Sequence, residues 1–251
     1  KEEEGGGGVG QTFVLLFGND KWEKYVEIGG IHEAGNDGTA DSIEMALLFA
    51  AQYPQRVQHK VYLELKQLFP NKNEEFDLSK FDLKEMPLFQ ALIHESLRLS
   101  HSTQFGVFHC VFVDDVIECG SDNQHKYNIP ANSVVFINNW YALEYSHEEG
   151  WIEPPTQFNL ENWLTVDKDT NKTVFKMKEP WVRFGIGRRD CVGRELAMKQ
   201  VMTAVGNILL RYELQLAPDL INGQKDFTFA SHGLTYKPTP QVGIFVKKRN
   251  E

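Results

Sequence analysis

Cysteine is scarce in this chain of 251 residues: Cys110, Cys119 and Cys191 are all it holds. Three thiols leave one over in any pairing scheme, so a disulfide framework is not what makes the fold. Long apolar runs are lacking too. The strongest, at 13–17 and 45–51, fall well short of the ~18 residues a membrane-spanning helix needs. Basic excess is absent: 26 Lys and Arg face 35 Asp and Glu, a formal net charge of −9, which argues against a nucleic-acid binder. No internal repeat is visible. The opening, Lys-Glu-Glu-Glu followed by glycines, does not have the pattern of a secretory leader. What is present is an ordinary globular balance, 41% hydrophobic and 24% charged, enough to bury a substantial core.

Residues 1–19 are expected to form a flexible N-terminal segment and 20–251 the folded portion. Helical periodicity covers 22–52, 56–68, 83–99 and 192–212. Gly29, Gly30, Gly35 and Gly38 should interrupt the first of these, since each costs about 1 kcal/mol against alanine. Such a cluster fits a place where a ligand or groove comes close to the backbone. Strand-like alternation covers 105–137, and strands are expected at 212–216, 227–230 and 242–246. The segment 146–182, rich in Pro, Asn, Glu and Trp, reads as a long irregular stretch.

The most informative segment is Phe184-Gly185-Ile186-Gly187-Arg188-Arg189-Asp190-Cys191-Val192-Gly193. Its cysteine stands where an amphipathic helix is expected to begin, and a helix N-terminus favours a thiolate. Such a thiolate could be a nucleophile or a metal ligand. No second or third ligand lies nearby, which disfavours zinc. A heme iron needs only one axial thiolate from the protein.

Phe184, Gly187, Arg189, Cys191 and Gly193 occupy every fixed position of the Phe-x-x-Gly-x-Arg-x-Cys-x-Gly signature, and the loop thereby resembles the cytochrome P-450 family. Further matches follow in the family's order. Ala34-Gly35-Asn36-Asp37-Gly38-Thr39 resembles the oxygen-binding groove of its central helix. Glu95-Ser96-Leu97-Arg98 resembles the Glu-x-x-Arg helix, where a three-residue spacing puts both charges on one face. The stretch 127–137 resembles a strand entry, 158–163 the aromatic segment before the heme loop, and 227–246 the C-terminal hairpin. The resemblance implies a mainly α fold with a smaller β portion, matching the C-terminal half of such a protein.

It also implies roles. Cys191 would be the axial ligand of heme b (iron protoporphyrin IX). Arg189 would pair with one propionate and His109 with a second. Phe184 would pack beside the thiolate, and Gly187 and Gly193 would leave room for a flat ligand. Gly35 would open the groove, with Asp37 relaying protons and Thr39 beside it. Glu95 and Arg98 would form a buried structural pair supporting the cysteine loop. Two positions depart from the family: Gly38 stands where a threonine is common, and Asn162 where an arginine usually joins the Glu95–Arg98 pair. Thr39 lies one residue further on, a rotation of about 100° along a helix.

The activity implied is heme-thiolate monooxygenation of a small apolar substrate, with a truncated structural subunit or a hydroperoxide isomerase or dehydratase as alternatives. Partners implied are an electron-donor reductase or ferredoxin, docking on a basic face near Arg188 and Arg194, and a second chain or larger assembly supplying the family's other half. Residues 183–199 carry five basic side chains against two acidic ones. The loop style looks microsomal, which implies the endoplasmic reticulum membrane, with a mitochondrial setting as the alternative.

Overall fold

The computed structural model describes residues 21–71, 76–80, 82–100, 108–119, 125–138, 156–178, 181–217, 228–232, 235–239 and 243–249. The expected flexible segment 1–19 lies outside them.

Helix α1 spans Lys21–Gln52 and runs unbroken through all four glycines. The expected interruption does not occur. Burial at its C-terminal end outweighs propensity, because Met45, Ala46, Leu48, Phe49, Ala50 and Ala51 all lie in the core. Pro54 ends it and opens a π-helical turn, Pro54–Gln58, that continues into α2, His59–Leu68.

Helix α3 spans Pro87–Leu99, starting later than expected. Pro87 sets the start, since proline suits a first helical turn and disfavours helix in the residue before it. The residues ahead form a 3-10 turn, Leu83–Glu85, whose Lys84 amide bonds to Asp82. Every residue from Phe89 to Leu99 is buried. The free amides of Leu88 and Phe89 donate to the two carboxylate oxygens of Glu64 on α2, at 2.9 and 2.8 Å. A side chain from one helix thus caps the next.

Helix α4 is Arg194–Arg211. Helix α1 packs against α3, α4 and the strand that follows α4. Gly206 on α4 touches the Phe76 ring so closely that a Cβ there would sit 2.9 Å from it.

The described strands form five antiparallel pairs. Strand β1 (His109–Cys110) pairs with β4 (Val134–Val135), and β2 (Asp115–Cys119) with β3 (His125–Ile129). The stretch expected to be irregular holds a 3-10 turn, Leu160–Trp163, and a hairpin of β5 (Leu164–Val166) with β6 (Thr173–Phe175). The C-terminal arrangement also differs from expectation. Strand β8 (Thr228–His232) pairs with β9 (Thr235–Thr239), while β10 (Ile244–Lys248) returns to β7 (Tyr212–Leu216).

Gln58 ties the early helices to this last pair. Its buried amide donates to the Ala50 and Leu214 carbonyls at 3.2 and 2.9 Å. Its oxygen accepts from the Leu214 amide at 2.8 Å.

Candidate active site: the cysteine loop and its supports

The cysteine loop closes on itself. The Cys191 amide donates to the Phe184 carbonyl at 2.7 Å, and the Gly185 amide to that of Val182 at 2.9 Å. Gly185 and Gly187 both have positive φ, +73° and +76°. A side chain at Gly187 would be strained. A 3-10 turn, Gly187–Arg189, precedes the cysteine, and α4 begins at Arg194 with Gly193 as its N-cap. Cys191 therefore lies three residues ahead of the helix, not at its first turn. Arg194 braces the loop: it donates to Gly185 O at 3.3 Å, meets Asp190 Oδ2 at 3.1 Å, and lies 5.9 Å over the Phe184 ring.

On α3 the Glu95–Arg98 pair has both side chains fully buried. Arg98 donates through Nε to Glu95 Oε2 at 2.8 Å and through Nη2 to Oε1 at 2.9 Å. Arg98 Nη2 also reaches the Gln157 carbonyl at 3.2 Å. Glu95 collects three more donors: the Asn159 amide at 2.9 Å, Asn162 Nδ2 at 2.9 Å and Trp163 Nε1 at 2.7 Å. A buried carboxylate is tolerable only with this degree of satisfaction. Asn162 thus keeps a donor on Glu95 without adding a second cation. Trp163 was not identified from the sequence, where it reads only as an aromatic.

His94, also on α3, is buried among the rings of Trp163, Phe175 and Trp181. Its Nδ1 lies 2.9 Å from the Gln90 carbonyl, to which it donates. Burial pushes its pKa down to about 4, so the ring is neutral near pH 7.

On α1, Gly35 and Asp37 are exposed and Thr39 is half-buried. The Gly38 carbonyl is engaged by Ser42 Oγ at 2.6 Å, which holds that oxygen within the helix. One turn past Asp37, Asp41 is buried, and so is Arg183, the residue before Phe184. Burial pushes the Arg183 pKa down to about 10, against the charge of Asp41. His109 is exposed on β1, with Val135 opposite it in the register. Among the described residues, no hydrogen bond or ion pair joins His109 to the loop.

The residues present fit a flat iron-bearing group held by one thiolate. Cys191 is exposed rather than packed away. Apolar Ile186, Val192 and Leu196 around it are 62%, 65% and 63% exposed, an unusual concentration on one loop and helix start. A Cβ at Gly193 would meet only Cys191 Sγ, at 3.8 Å, so the protein alone does not require glycine there. Among the described residues no cluster of three or more metal-binding side chains exists.

The sequence model of the cytochrome P-450 family matches residues 23–241. The chain belongs to the cytochrome P-450 family. The cytochrome P-450 monooxygenase ple1 of Rhodocybe pseudopiperita is 32% identical to it over 224 residues, 89% of this chain and 39% of that protein. The probable cytochrome P-450 508A4 of Dictyostelium discoideum is 27% identical over 220 residues, 86% and 41% respectively. A crystal structure of a cytochrome P-450 superposes with a TM-score of 0.71 at 24% identity, covering 92% of this chain and 46% of that one. This confirms the expected fold, mainly α with a smaller β portion. The chain spans about two fifths of the length of these curated relatives.

Of the basic side chains on this segment, Arg188 and Lys199 are exposed, Arg194 is half-buried and meets Asp190, and Arg183 is buried.

Proposed function

We propose that this chain is the heme-binding portion of a heme-thiolate monooxygenase, with Cys191 as its axial ligand. The single observation that carries this is the exposed Cys191 in a loop closed by its own amide on the Phe184 carbonyl, with the exposed apolar Ile186, Val192 and Leu196 close to it in the chain. Heme b, once bound, would supply the iron that activates dioxygen for insertion into an apolar substrate.

The chain's own residues would do the rest. The Cys191 amide bond holds the thiolate's backbone in place. Ile186, Val192 and Leu196 would be available to pack against the bound group and keep water from the thiolate side. Arg189 and His109 would take the propionates. The Asp37 carboxylate, exposed on α1, would pass protons from solvent towards the oxygen side. Glu95 and Arg98 would keep the loop's foundation fixed.

Electrons would come from a reductase or ferredoxin approaching a basic face near Arg188 and Arg194. A polypeptide supplying the rest of the family's fold would cover the apolar side chains of Phe108, Phe112, Val113 and Phe136, which flank the short strands β1 and β4 and are all at least half exposed. The endoplasmic reticulum membrane is the setting we favour for the assembled protein. Gly38 favours a second reading, isomerisation or dehydration of hydroperoxides, because the common threonine hydroxyl is absent there.

The test is a reduced carbon-monoxide difference spectrum of the purified chain with heme. A thiolate-type Soret band, lost in Cys191→Ser, is expected. A protein that takes up no heme, alone or with its complementing half, would refute the proposal. Turnover with peroxide but not with a reductase would select the isomerase reading.

A further inference from the structure

Cys119 and His125 have no part in the assignments above. Cys119 ends β2, His125 begins β3, and the antiparallel register sets the two residues directly opposite each other. Side chains opposed in this way lie on one side of the sheet, with Cβ atoms ~4.5–5.5 Å apart. Both residues are exposed, and Cys119 is a free thiol. The next rung marks the same register: Lys126 Nζ meets the carboxylate of its partner Glu118. A slip of one residue would carry Cys119 and His125 to opposite faces.

The first strand pair supplies the contrast. Cys110 on β1 faces Val134, and His109 beside it faces Val135. Neighbours along a strand point to opposite faces, so His109 and Cys110 do not converge. Among the described strand pairs, only β2–β3 sets a cysteine opposite a histidine.

Thiolate sulfur and imidazole nitrogen are donors that zinc and related thiophilic cations favour. Zinc bonds them at about 2.3 and 2.0 Å, so a tetrahedral ion needs the two donor atoms roughly 3.5 Å apart. Two exposed side chains opposed across a ladder reach that separation by rotating about χ1.

We propose that Cys119 and His125 form a two-donor cation site, taking zinc or a similar thiophilic divalent ion across β2 and β3. The ion replaces the thiol proton, which passes to solvent, and nothing is oxidised. Two coordination positions stay open to water. The bound ion cross-links two strands whose described ladder partners are only each other. The site uses neither Cys191 nor heme, so it stands apart from the heme-thiolate reading.

The test uses the full chain with zinc chloride as the probe. Iodoacetamide labels free thiols, and peptide masses report each cysteine separately. Zinc should slow labelling of Cys119 and leave that of Cys110 unchanged. His125→Ala should raise the zinc concentration needed for half protection at least about tenfold. Its urea midpoint without zinc should match wild type, because the side chain is exposed. Sedimentation should show no zinc-dependent increase in mass.

Equal protection of Cys110 and Cys119 would overturn the site, since each thiol would then be acting alone. Half protection of His125→Ala at the wild-type zinc concentration would do the same. Labelling of Cys119 at its zinc-free rate throughout the titration would also refute it. Two chains sharing one ion would replace the open single-chain site with a bridged one, and so overturn the proposal as stated.

Discussion

Trp163 donates its indole N–H to Glu95 Oε2 at 2.7 Å, with both side chains fully buried. Trp163 also stacks parallel to Phe175 and meets Trp181 edge-on. The carboxylate that anchors α3 is thereby joined to the aromatic layer under the β5–β6 hairpin. Glu95→Ala should cost about 3–5 kcal/mol, since it strands Arg98 without its partner. Trp163→Phe keeps the ring and should lose about 1.5–3 kcal/mol, the worth of one bond to a charged group. Urea unfolding followed by circular dichroism would rank the two, and an equal cost would contradict the arrangement.

Asn162 presents its amide nitrogen to Glu95 Oε1. Asn162→Asp replaces a donor with a second carboxylate, so it should destabilise more than Asn162→Ala. The difference between the two should shrink as pH is lowered and the introduced carboxylate protonates. Melting temperatures of both variants at pH 5 and pH 8 would check this.

Stability should depend on pH through two opposed groups. Burial raises Glu64 from 4.5 to about 7, so its contribution is full below pH 4.5 and is lost as pH rises through 7. Burial lowers His94 from 6.5 to about 4, so its contribution is full above pH 6.5 and is lost as pH falls through 4. Between pH 4.5 and 6.5 the two slopes oppose each other, and the wild-type profile should be nearly flat in that window. Glu64→Gln should uncover acid destabilisation there, and His94→Phe should uncover loss of stability with rising pH. Each uncovered slope is up to ~1.4 kcal/mol per pH unit. A wild-type profile as steep as either variant's would contradict the pairing of effects.

Gly206→Ala ordinarily helps a helix by about 1 kcal/mol. Here its Cβ would meet the Phe76 ring at 2.9 Å, and that ring is fixed between Phe69 and Phe89 at centroid distances of 4.9 and 5.4 Å. Overpacking of this kind costs about 1–3 kcal/mol, so the variant should be destabilised overall. Adding Phe76→Leu should recover part of the loss; a rise in melting temperature for Gly206→Ala alone would refute the contact.

Gly187 and Gly193 should separate under substitution. Gly187→Ala places a side chain at φ +76° and should lower stability by about 1 kcal/mol. Gly193→Ala, at φ −87°, should leave the heme-free protein's urea midpoint unchanged while weakening heme uptake. Parallel titrations with and without heme would tell them apart.

The loop residues were legible in the sequence because Phe184, Gly187, Arg189, Cys191 and Gly193 lie within ten residues and their spacing survives as a pattern. The helices were legible from periodicity, apart from the glycine run in α1, where packing of residues 45–51 overrides local propensity. The partners of Glu95 were not legible. Asn159, Asn162 and Trp163 lie more than sixty residues away, and an indole N–H leaves no mark in a hydropathy pattern. Asp41 and Arg183 were hidden for the opposite reason: each reads as an ordinary surface charge until the fold buries it. The β7–β10 pairing was missed because nearest-neighbour hairpins are the default expectation, and here the chain inserts β8 and β9 first.

Gln58 closes the outer side of β7. Leu214 lies opposite Val246 of β10, yet both its amide and its carbonyl turn the other way, to the Gln58 side chain. One primary amide, reaching across 156 positions of sequence, imitates a residue of a third strand. An unpaired strand edge is a template on which other chains can add themselves. The glutamine fills that template from within at Leu214, so an incoming polypeptide could not pair with β7 at that position.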